Sequence, residues 1–364
     1  MIDVIVPVYR GLGQTRRCIE SLLAHAQRSP FAIVAIDDAS PEPGIVAYLD
    51  DLAAQGRIEL LRNDQNLGFV RTVNRGLALH PDRDVVLQNS DTEVANDWLD
   101  RLQACAYREQ DIGTVTPFSN NATICSYPFE GWTGGTPGTL GLAALDRVFA
   151  AVNAGRHADL PTAVGFCMYI RRACLDAVGA FDAERFGRGY GEENDFCLRA
   201  AAAGWRSVLA ADVFVFHEGA VSFSGEREAL TRTATTALLE RHPEYSRTID
   251  GFQAADPLRP LRRAIDDARH GQGGEEAQRV YMERNDERAL IVARAAALQA
   301  ALAHAARLVA ERDAEIAKLT AAFQHAEALA LERGRDLERI LGSPLVKVLR
   351  PLVRLRRRAK RGKG

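Results

Sequence analysis

Two apolar segments near the N-terminus decide the fold class of this chain: IDVIVPV at positions 2–8 and FAIVAI at positions 31–36. Both are short and rich in β-branched residues, and both are followed by polar or turn-forming residues, which is typical of buried strands. Between them, positions 15–26 carry apolar residues at helical spacing. A strand, a helix and a second strand in this order predict a βαβ unit with parallel strands.

The same alternation continues along the chain. Further strand-like segments occupy positions 58–61, 85–87, 163–170 and 213–216, and a helical pattern lies around positions 69–79. We therefore predict an α/β fold with a Rossmann-like mixed sheet that is mostly parallel and has helices on both faces. In open sheets of this kind, ligands bind beyond the carboxyl ends of the strands.

Three segments follow the sheet domain, which we place at residues 1–255. Positions 256–274 contain two prolines and a glycine-rich end, so we predict a linker there. Positions 275–341 have almost no helix breakers, which predicts one long helix. Apolar residues recur in it at intervals of seven: Leu302, Val309, Ile316, Phe323, Ala330 and Leu337. This spacing favours a coiled coil, although Arg312 and Arg333 interrupt the companion seam.

The charge of the chain is unevenly distributed, although 46 Lys and Arg nearly balance 48 Asp and Glu overall. The stretch from Ile340 to the C-terminus holds nine basic residues and no acidic one. We predict a basic amphipathic tail at positions 342–364, with Ser343 as N-cap, Pro344 in the first turn and a kink at Pro351. Such a helix is expected to bind an anionic membrane surface, and a solvated basic end is the alternative. The acidic remainder of the chain disfavours nucleic acid as a partner.

The sequence also bears on location. Its N-terminus lacks the basic start and long apolar segment of a signal peptide, and no uncharged apolar run reaches the roughly 18 residues of a membrane-spanning helix. The six cysteines are scattered, without the spacing of a zinc module or a disulfide scaffold. We therefore expect a cytoplasmic protein that is peripheral on the cytoplasmic face of the membrane.

Polar residues follow several predicted strands, and each cluster has a structural interpretation beside a chemical one. GLG at positions 11–13 begins a dinucleotide fingerprint, but Arg16 stands where the third glycine is required. NSDTE at positions 89–93 can offer Asp91 to a hard divalent cation, or it can form a turn or a helix cap.

Two further clusters lie nearer the end of the sheet domain. GYGEEND at positions 189–195 places three acidic residues at the start of a predicted helix, where they supply a general base or interact with the helix dipole. His217 ends an apolar segment and is either a metal ligand or a structural histidine.

Taken in order, these motifs resemble family 2 glycosyltransferases with the glycosyltransferase-A fold, in particular bacterial cell-surface polysaccharide and rhamnosyl-type transferases. The resemblance extends from residue 2 to about residue 225. It rests on VIVPVY at 4–9, DDAS at 37–40, NLGF at 66–69, NRG at 74–76, NSDTE at 89–93, GF at 165–166, GYGEEND at 189–195 and His217.

The resemblance implies roles for individual residues. The residues that would contact the nucleotide sugar are Pro7, Tyr9, Asp38, Asn66 and Ser90. The residues that would bind a divalent cation, Mn²⁺ or Mg²⁺, are Asp91, His217 and Asn89, of which Asn89 is a neutral donor where the family often has an Asp. Glu193 falls at the position of the catalytic base, which is usually Asp in the family, and Asp195 is the alternative.

The implied reaction transfers a sugar from a nucleotide-diphosphate sugar to a hydroxyl of a saccharide or lipid-linked saccharide, with inversion at the anomeric carbon. The expected setting is synthesis of a cell-surface glycan such as O-antigen or capsule. Positions 128–141, rich in Gly, Pro and Thr, predict a mobile loop that shapes the pocket. The alternative function is a non-catalytic sugar-nucleotide-binding scaffold that forms a homo-oligomer through the long helix. A nucleotidyltransferase is disfavoured, because positions 10–17 lack the lysine of its glycine-rich loop.

Overall fold

The computed structural model describes residues 1–187, 189–219, 227–348 and 350. The chain divides into two compact units, Met1–Glu287 and Arg288–Gly364. The strands are β1 Ile2–Val8, β2 Phe31–Asp37, β3 Glu59–Arg62, β4 Asp84–Gln88, β5 Thr92–Glu93, β6 Ile112–Ser119, β7 His157–Leu160, β8 Cys167–Ile170 and β9 Arg206–His217. The helices are α1 Leu12–Ala24, α2 Pro43–Ala54, α3 Phe69–Leu77, α4 Trp98–Ala106, α5 Leu142–Val152, α6 Arg172–Val178, α7 Ala183–Phe186, α8 Glu192–Ala202, α9 Arg227–Arg241, α10 Tyr245–Ala255, α11 Arg259–His270 and α12 Gly274–Gly342, with a 3₁₀ turn at Thr123–Cys125.

The strands form one mixed sheet in the order β3-β2-β1-β4-β8-β6-β9-β5, with β7 paired to β9. Strands β1 to β4 are parallel, β8 runs antiparallel to its neighbours β4 and β6, and β6 is parallel to β9. The apolar segments at positions 2–8 and 31–36 are the adjacent parallel strands β1 and β2. The predicted fold class, a mixed α/β sheet followed by a long helix, is confirmed.

Helices cover both faces of the sheet because successive strand residues point to opposite sides. Val4 and Val6 of β1 belong to a core with residues of α1, α2, α4, α5 and α11, whereas Ile5 belongs to a second core with α3, α6, α8 and α9. All six cysteines are buried free thiols.

Two strands and the predicted linker differ from the sequence-based expectations. Strand β8 is shorter than the predicted segment 163–170, and β9 begins earlier than position 213. The range 256–274 contains α11, whose Leu261 and Ile265 are buried in the first core. Pro260 lies in the first turn of α11, where its missing N–H removes no helical hydrogen bond, so it starts this helix rather than breaking it.

The long helix is observed as α12, which is 69 residues long. Its residues at intervals of seven are exposed, among them Leu302 (62%) and Phe323 (70%). The coiled coil therefore stays a prediction. By length and composition alone, one 18-residue window of α12 is apolar enough to cross a membrane. No stretch of 18 residues in α12 is free of charged side chains.

The tail begins as expected. The Val346 amide donates to Ser343 Oγ at 3.4 Å, and Pro344 starts a helical turn. Residue 349 and residues 351–364, which include the predicted kink at Pro351, lie outside the described part of the chain.

The close packing of α3 on the sheet yields a stability prediction. A Cβ at Gly76 would lie 2.8 Å from Ile5 Cγ2 and 3.0 Å from Ile36 Cδ1. Gly76→Ala should therefore lower the free energy of unfolding by about 1–3 kcal/mol through overpacking. The matched control is Gly251→Ala in α10. A Cβ added at Gly251 would have no atom from outside its own stretch of helix within 4 Å, so alanine should stabilise the helix by about 0.5–1 kcal/mol. Urea unfolding measures both, and equal midpoints for the two variants would contradict this packing.

Candidate functional site

A short strand pairing brings Asp91 to His217. Thr92 in β5 lies opposite His217 at the end of β9, and the Glu218 amide donates to the carbonyl oxygen of Asp91 at 3.0 Å. The Gly219 amide donates to Asp91 Oδ2 at 3.1 Å, which leaves Oδ1 3.5 Å from His217 Nε2. The carboxylate and the imidazole thus face each other at one edge of the sheet.

The ring of His217 is held in one orientation. Its Nδ1 lies 2.6 Å from the Asn121 carbonyl oxygen, which can only accept a hydrogen bond, so Nδ1 carries a proton, and in the neutral ring Nε2 presents a lone pair. Phe166 stacks on the ring at a centroid distance of 5.3 Å and an angle of 15°. The Asn120 side chain accepts from the His217 amide at 2.8 Å and donates to its carbonyl at 2.9 Å. A backbone carbonyl on the second ring nitrogen is the usual arrangement of a metal-binding histidine.

The donor atoms fit a divalent cation. Two ligands that are each about 2.1 Å from an ion and about 90–110° apart are separated by about 3.0–3.4 Å, close to the distance between Asp91 Oδ1 and His217 Nε2. Among the described residues no group of three or more His, Cys, Asp or Glu side chains could hold a metal. Asn89 precedes Asp91 in a tight turn, in which its carbonyl oxygen accepts from the Thr92 amide at 3.2 Å. The side chains at this edge therefore provide two donors that face each other, with Asn89 on the adjoining turn.

The predicted nucleotide-binding residues lie at the carboxyl ends of adjacent parallel strands. Pro7 and Tyr9 are at the end of β1, Asp38 follows β2, and Ser90 follows β4. Asn66 is exposed in the loop between β3 and α3. The fold thus places these residues along the sheet edge where ligands of α/β proteins bind.

Asp38 has a structural role that the sequence did not reveal. It is 4% exposed, and its Oδ1 accepts from Asn63 Nδ2 at 2.6 Å and from the Leu67 amide at 2.8 Å. Its Oδ2 accepts from the Gly68 amide at 3.0 Å. Both oxygens therefore fix the loop that carries Asn66.

The start of α1 is occupied by a side chain of the protein itself. The amides of Gly11 and Leu12 donate to the carboxylate of Glu42 at 3.0 and 3.2 Å. These are the amides that a dinucleotide fingerprint would offer to a pyrophosphate. Glu42 uses them to connect α1 to α2.

Glu192 and Glu193 form a buried carboxyl pair at the start of α8. In each residue Oε2 is buried and has no hydrogen-bond partner. Burial, reinforced by the charge of Glu193, raises the pKa of Glu192 well above its usual range. Burial also raises the pKa of Glu193, while backbone amides and the Glu192 carboxyl partly offset the increase. Burial thus raises the pKa of both carboxyls, and the contacts that offset the increase are at Glu193 more than at Glu192.

Asp195 is placed differently, although it is only two residues away. It is fully buried and accepts from Arg199 Nε at 2.7 Å. Its Oδ1 also lies 3.2 Å from Arg241 Nη1 and 2.9 Å from His242 Nε2, both in the α9 region. These contacts connect α8 to α9 and occupy both carboxylate oxygens of Asp195.

Two consecutive residues connect the carboxyl pair to the cation site. A methyl group at Gly165 would lie 3.6 Å from Glu193 Cγ, and the next residue, Phe166, stacks on His217. The Asn89 amide donates to the Phe166 carbonyl at 2.9 Å, which joins this segment to the end of β4. The GF motif therefore lies between Glu193 and the Asp91–His217 pair.

Sequence reasoning missed three residues of this region. Asn120 and Asn121 follow β6, so the rule that polar residues collect at strand ends could have found them. Tyr245, in α10, donates to Asn194 Oδ1 at 3.1 Å, and burial together with the charge of Glu193 raises its pKa to about 12. No local pattern indicates Tyr245, because its neighbours come from a distant part of the chain.

Comparison with known proteins relates the N-terminal part of the chain to a known family. Residues 3–178 match the profile of Glycosyl transferase family 2. N-acetylgalactosaminyltransferase 7 of Drosophila melanogaster is 29% identical over 31% of this chain and 20% of its own length. An N-acetylglucosaminyltransferase of Azorhizobium caulinodans is 32% identical over 31% of this chain and 29% of its own length. The chain thus spans less than a third of either relative.

The solved structure of a mannosyltransferase from Pyrobaculum calidifontis, in complex with GDP-Man and Mn²⁺, is 14% identical over 80% of each chain, with a TM-score of 0.48. The profile match includes β1 to β8 and the motifs up to GF, whereas Glu193, Asp195 and His217 lie beyond it. Residues 3–178, just under half of the chain, are thus similar to glycosyl transferase family 2.

Proposed function

We propose that this chain is an inverting glycosyltransferase that moves a sugar from a nucleotide-diphosphate sugar to an acceptor hydroxyl. The observation that carries the proposal is the arrangement around Gly165 and Phe166: a methyl group at Gly165 would lie 3.6 Å from Glu193 Cγ, and Phe166 stacks on His217. A proton acceptor and a cation site are the two parts that such a transfer needs. The names of the two relatives, both hexosaminyltransferases, support the same reaction class.

The Asp91–His217 pair is the proposed cation site. A bound divalent cation, Mn²⁺ or Mg²⁺, would supply Lewis-acid stabilisation to the charge of the leaving diphosphate. Asp91 contributes one carboxylate and His217 a neutral imidazole, so the side chains neutralise only part of the charge of such an ion. Asn89, in the same turn, is a further neutral oxygen donor. Pro7, Tyr9, Asp38, Asn66 and Ser90 are proposed to contact the nucleotide sugar or to hold the loops that do.

Glu193 is the proposed general base. An acceptor hydroxyl is a poor nucleophile near neutral pH, and a carboxylate that takes its proton contributes about 10²- to 10⁴-fold. The unpartnered Oε2 of Glu193 is available to accept that proton. Direct attack on the face of the sugar opposite the diphosphate inverts the anomeric centre. Asp195 remains the alternative base, although its oxygens are already paired with Arg199 and His242.

The wider role follows the sequence-based predictions. The proposed acceptor is a saccharide or lipid-linked saccharide in cell-surface glycan synthesis, reached from the cytoplasmic face of the membrane through the basic tail. The exposed apolar residues of α12 support assembly into a homo-oligomer. The same observation favours the second candidate, a non-catalytic scaffold that binds a sugar nucleotide. The buried carboxyl pair favours the enzyme, because a scaffold has no use for an ionisable group held in a buried site.

The cation site is tested by binding. Asp91→Asn and His217→Ala should each abolish the increase in melting temperature that Mn²⁺ produces together with UDP or GDP, because the first removes the negative charge of the pair and the second removes its imidazole donor. The matched control is His157→Ala in β7, whose imidazole contacts Glu109 at 3.1 Å. The control should keep the full shift. An unchanged shift in both Asp91→Asn and His217→Ala would place the cation elsewhere.

The base is tested by turnover and pH. Glu193→Gln should lower kcat by at least about 10²-fold, since the amide cannot accept a proton, while nucleotide binding persists. Because burial raises the pKa of Glu193, wild-type kcat/KM should fall as the pH drops through a value above the usual Glu pKa of about 4.3. Asp195→Asn should mainly lower the melting temperature. The reverse pattern, with Asp195→Asn inactive and Glu193→Gln active, would make Asp195 the base.

The tail is tested by vesicle binding. A chain that ends at Leu341 should lose co-sedimentation with anionic vesicles, because each basic residue near such a surface contributes about 1 kcal/mol. Binding of the full chain should weaken as salt rises, since exposed charges are screened beyond about 8 Å at physiological ionic strength. Equal sedimentation of both chains, or of the full chain with neutral vesicles, would leave the tail as a solvated end.

A further inference from the structure

A buried ionic cluster lies where α11 meets the first turns of α12. Arg269 is fully buried and forms a two-pronged pair with Glu283, Nη1 to Oε2 at 2.7 Å and Nη2 to Oε1 at 3.2 Å. Its Nε donates to Glu276, which is 5% exposed. One guanidinium thus connects two carboxylates of α12. Removing one partner of such a buried group is strongly unfavourable, so the cluster holds its members together as a unit.

The carboxylates of this cluster also bind the 128–141 loop. The Gly138 amide donates to Glu283 Oε1 at 2.8 Å. The amide and the hydroxyl of Thr139 donate to Glu276 Oε2 at 2.6 and 2.7 Å. Gly138 has a φ of 78°, and a Cβ there would collide with Arg269 Nη2, so only glycine fits. The loop, which was expected to be mobile, is attached to α12 at these two residues.

The middle of the same loop reaches the proposed cation site. Asn120 Nδ2 donates to the Gly134 carbonyl at 2.7 Å and to the His217 carbonyl at 2.9 Å, and its Oδ1 accepts from the His217 amide. One side chain therefore joins the loop to both backbone groups of the proposed metal ligand. The neighbouring Asn121 carbonyl orients the His217 ring.

A second connection runs through Tyr127, which is fully buried. Its hydroxyl accepts from Arg269 Nη1 at 2.7 Å and donates to Asp266 Oδ1 at 2.9 Å. Its amide donates to the Ser119 carbonyl at 2.8 Å, at the end of β6 and one residue before Asn120. Both connections lead from Arg269 to the segment that holds His217.

We propose that Arg269, Glu276 and Glu283 form a positioning clamp that holds the 128–141 loop and, through Gly134 and Asn120, keeps His217 in its cation-binding orientation. The proposal rests on the cation site proposed above. The first turns of α12 then support the active site from outside, because the clamp residues act through His217 without touching the substrate. Loosening the clamp lets His217 change position, and the affinity for the cation falls.

The experiment measures Mn²⁺ binding to the full chain by calorimetry at 25 °C in the presence of UDP or GDP. Thr139→Val removes one hydrogen bond to Glu276 and keeps the shape of the loop, so it should weaken Mn²⁺ binding about fivefold or more, which is about 1 kcal/mol. Thr139→Ser retains the hydroxyl and should restore the affinity. Glu276→Gln should weaken binding further, towards the roughly 10- to 100-fold loss typical of outer partners of metal ligands.

The matched control is Glu275→Gln, an exposed acidic residue on the same turn of α12, which should bind Mn²⁺ like the wild type. If Glu276→Gln fails to fold, Thr139→Val and Thr139→Ser decide. Wild-type affinity in Thr139→Val or in a folded Glu276→Gln overturns the clamp and leaves the cation site intact. Absence of Mn²⁺ binding in the wild type overturns both the cation site and the clamp. If the substitutions caused only a general loss of stability, they would lower the melting temperature, and Thr139→Val and Thr139→Ser would not differ in Mn²⁺ affinity.

Discussion

The pairing of the two-residue strand β5 with the end of β9 is the constraint on which the proposed site depends. It places Thr92 opposite His217 and thereby sets Asp91 beside the imidazole. Asp91 lies in the turn between β4 and β5, and His217 is the last residue of β9. The two residues therefore face each other only because β5 pairs with β9. The backbone fixes the pair, so the proposed cation site is preorganised by sheet hydrogen bonds rather than by side-chain contacts alone.

The remaining parts of the site are arranged around this pairing. Phe166 packs on His217 while Gly165 leaves room beside Glu193, so the two residues before β8 set the position of the proposed base relative to the proposed cation site. Burial at the start of α8 raises the pKa of both Glu192 and Glu193, and backbone amides partly offset the increase at Glu193. The sheet edge thus provides the proposed cation ligands, the start of α8 provides the proposed base, and the GF motif sets their relative position.

Sequence reasoning reached the features that depend on local patterns. The strands β1 and β2, the long helix and the polar residues at strand ends each follow from periodicity or from neighbouring residues. The sequence did not predict features that depend on contacts between distant parts of the chain. The sequence could not separate Glu193 from Asp195, because the ion pairs of Asp195 come from Arg241 and His242, far along the chain. The linker prediction failed because Pro260 begins a helix whose apolar face is buried only through tertiary packing.

Asp91 and His217 are proposed to bind one divalent cation at the edge of the sheet. A crystal structure of the chain with Mn²⁺ and UDP or GDP, with anomalous data collected near the manganese edge, tests this directly. We expect one anomalous peak within about 2.0–2.3 Å of an Asp91 carboxylate oxygen and of His217 Nε2, beside the nucleotide phosphates. A nucleotide-bound manganese that contacts neither residue would contradict it.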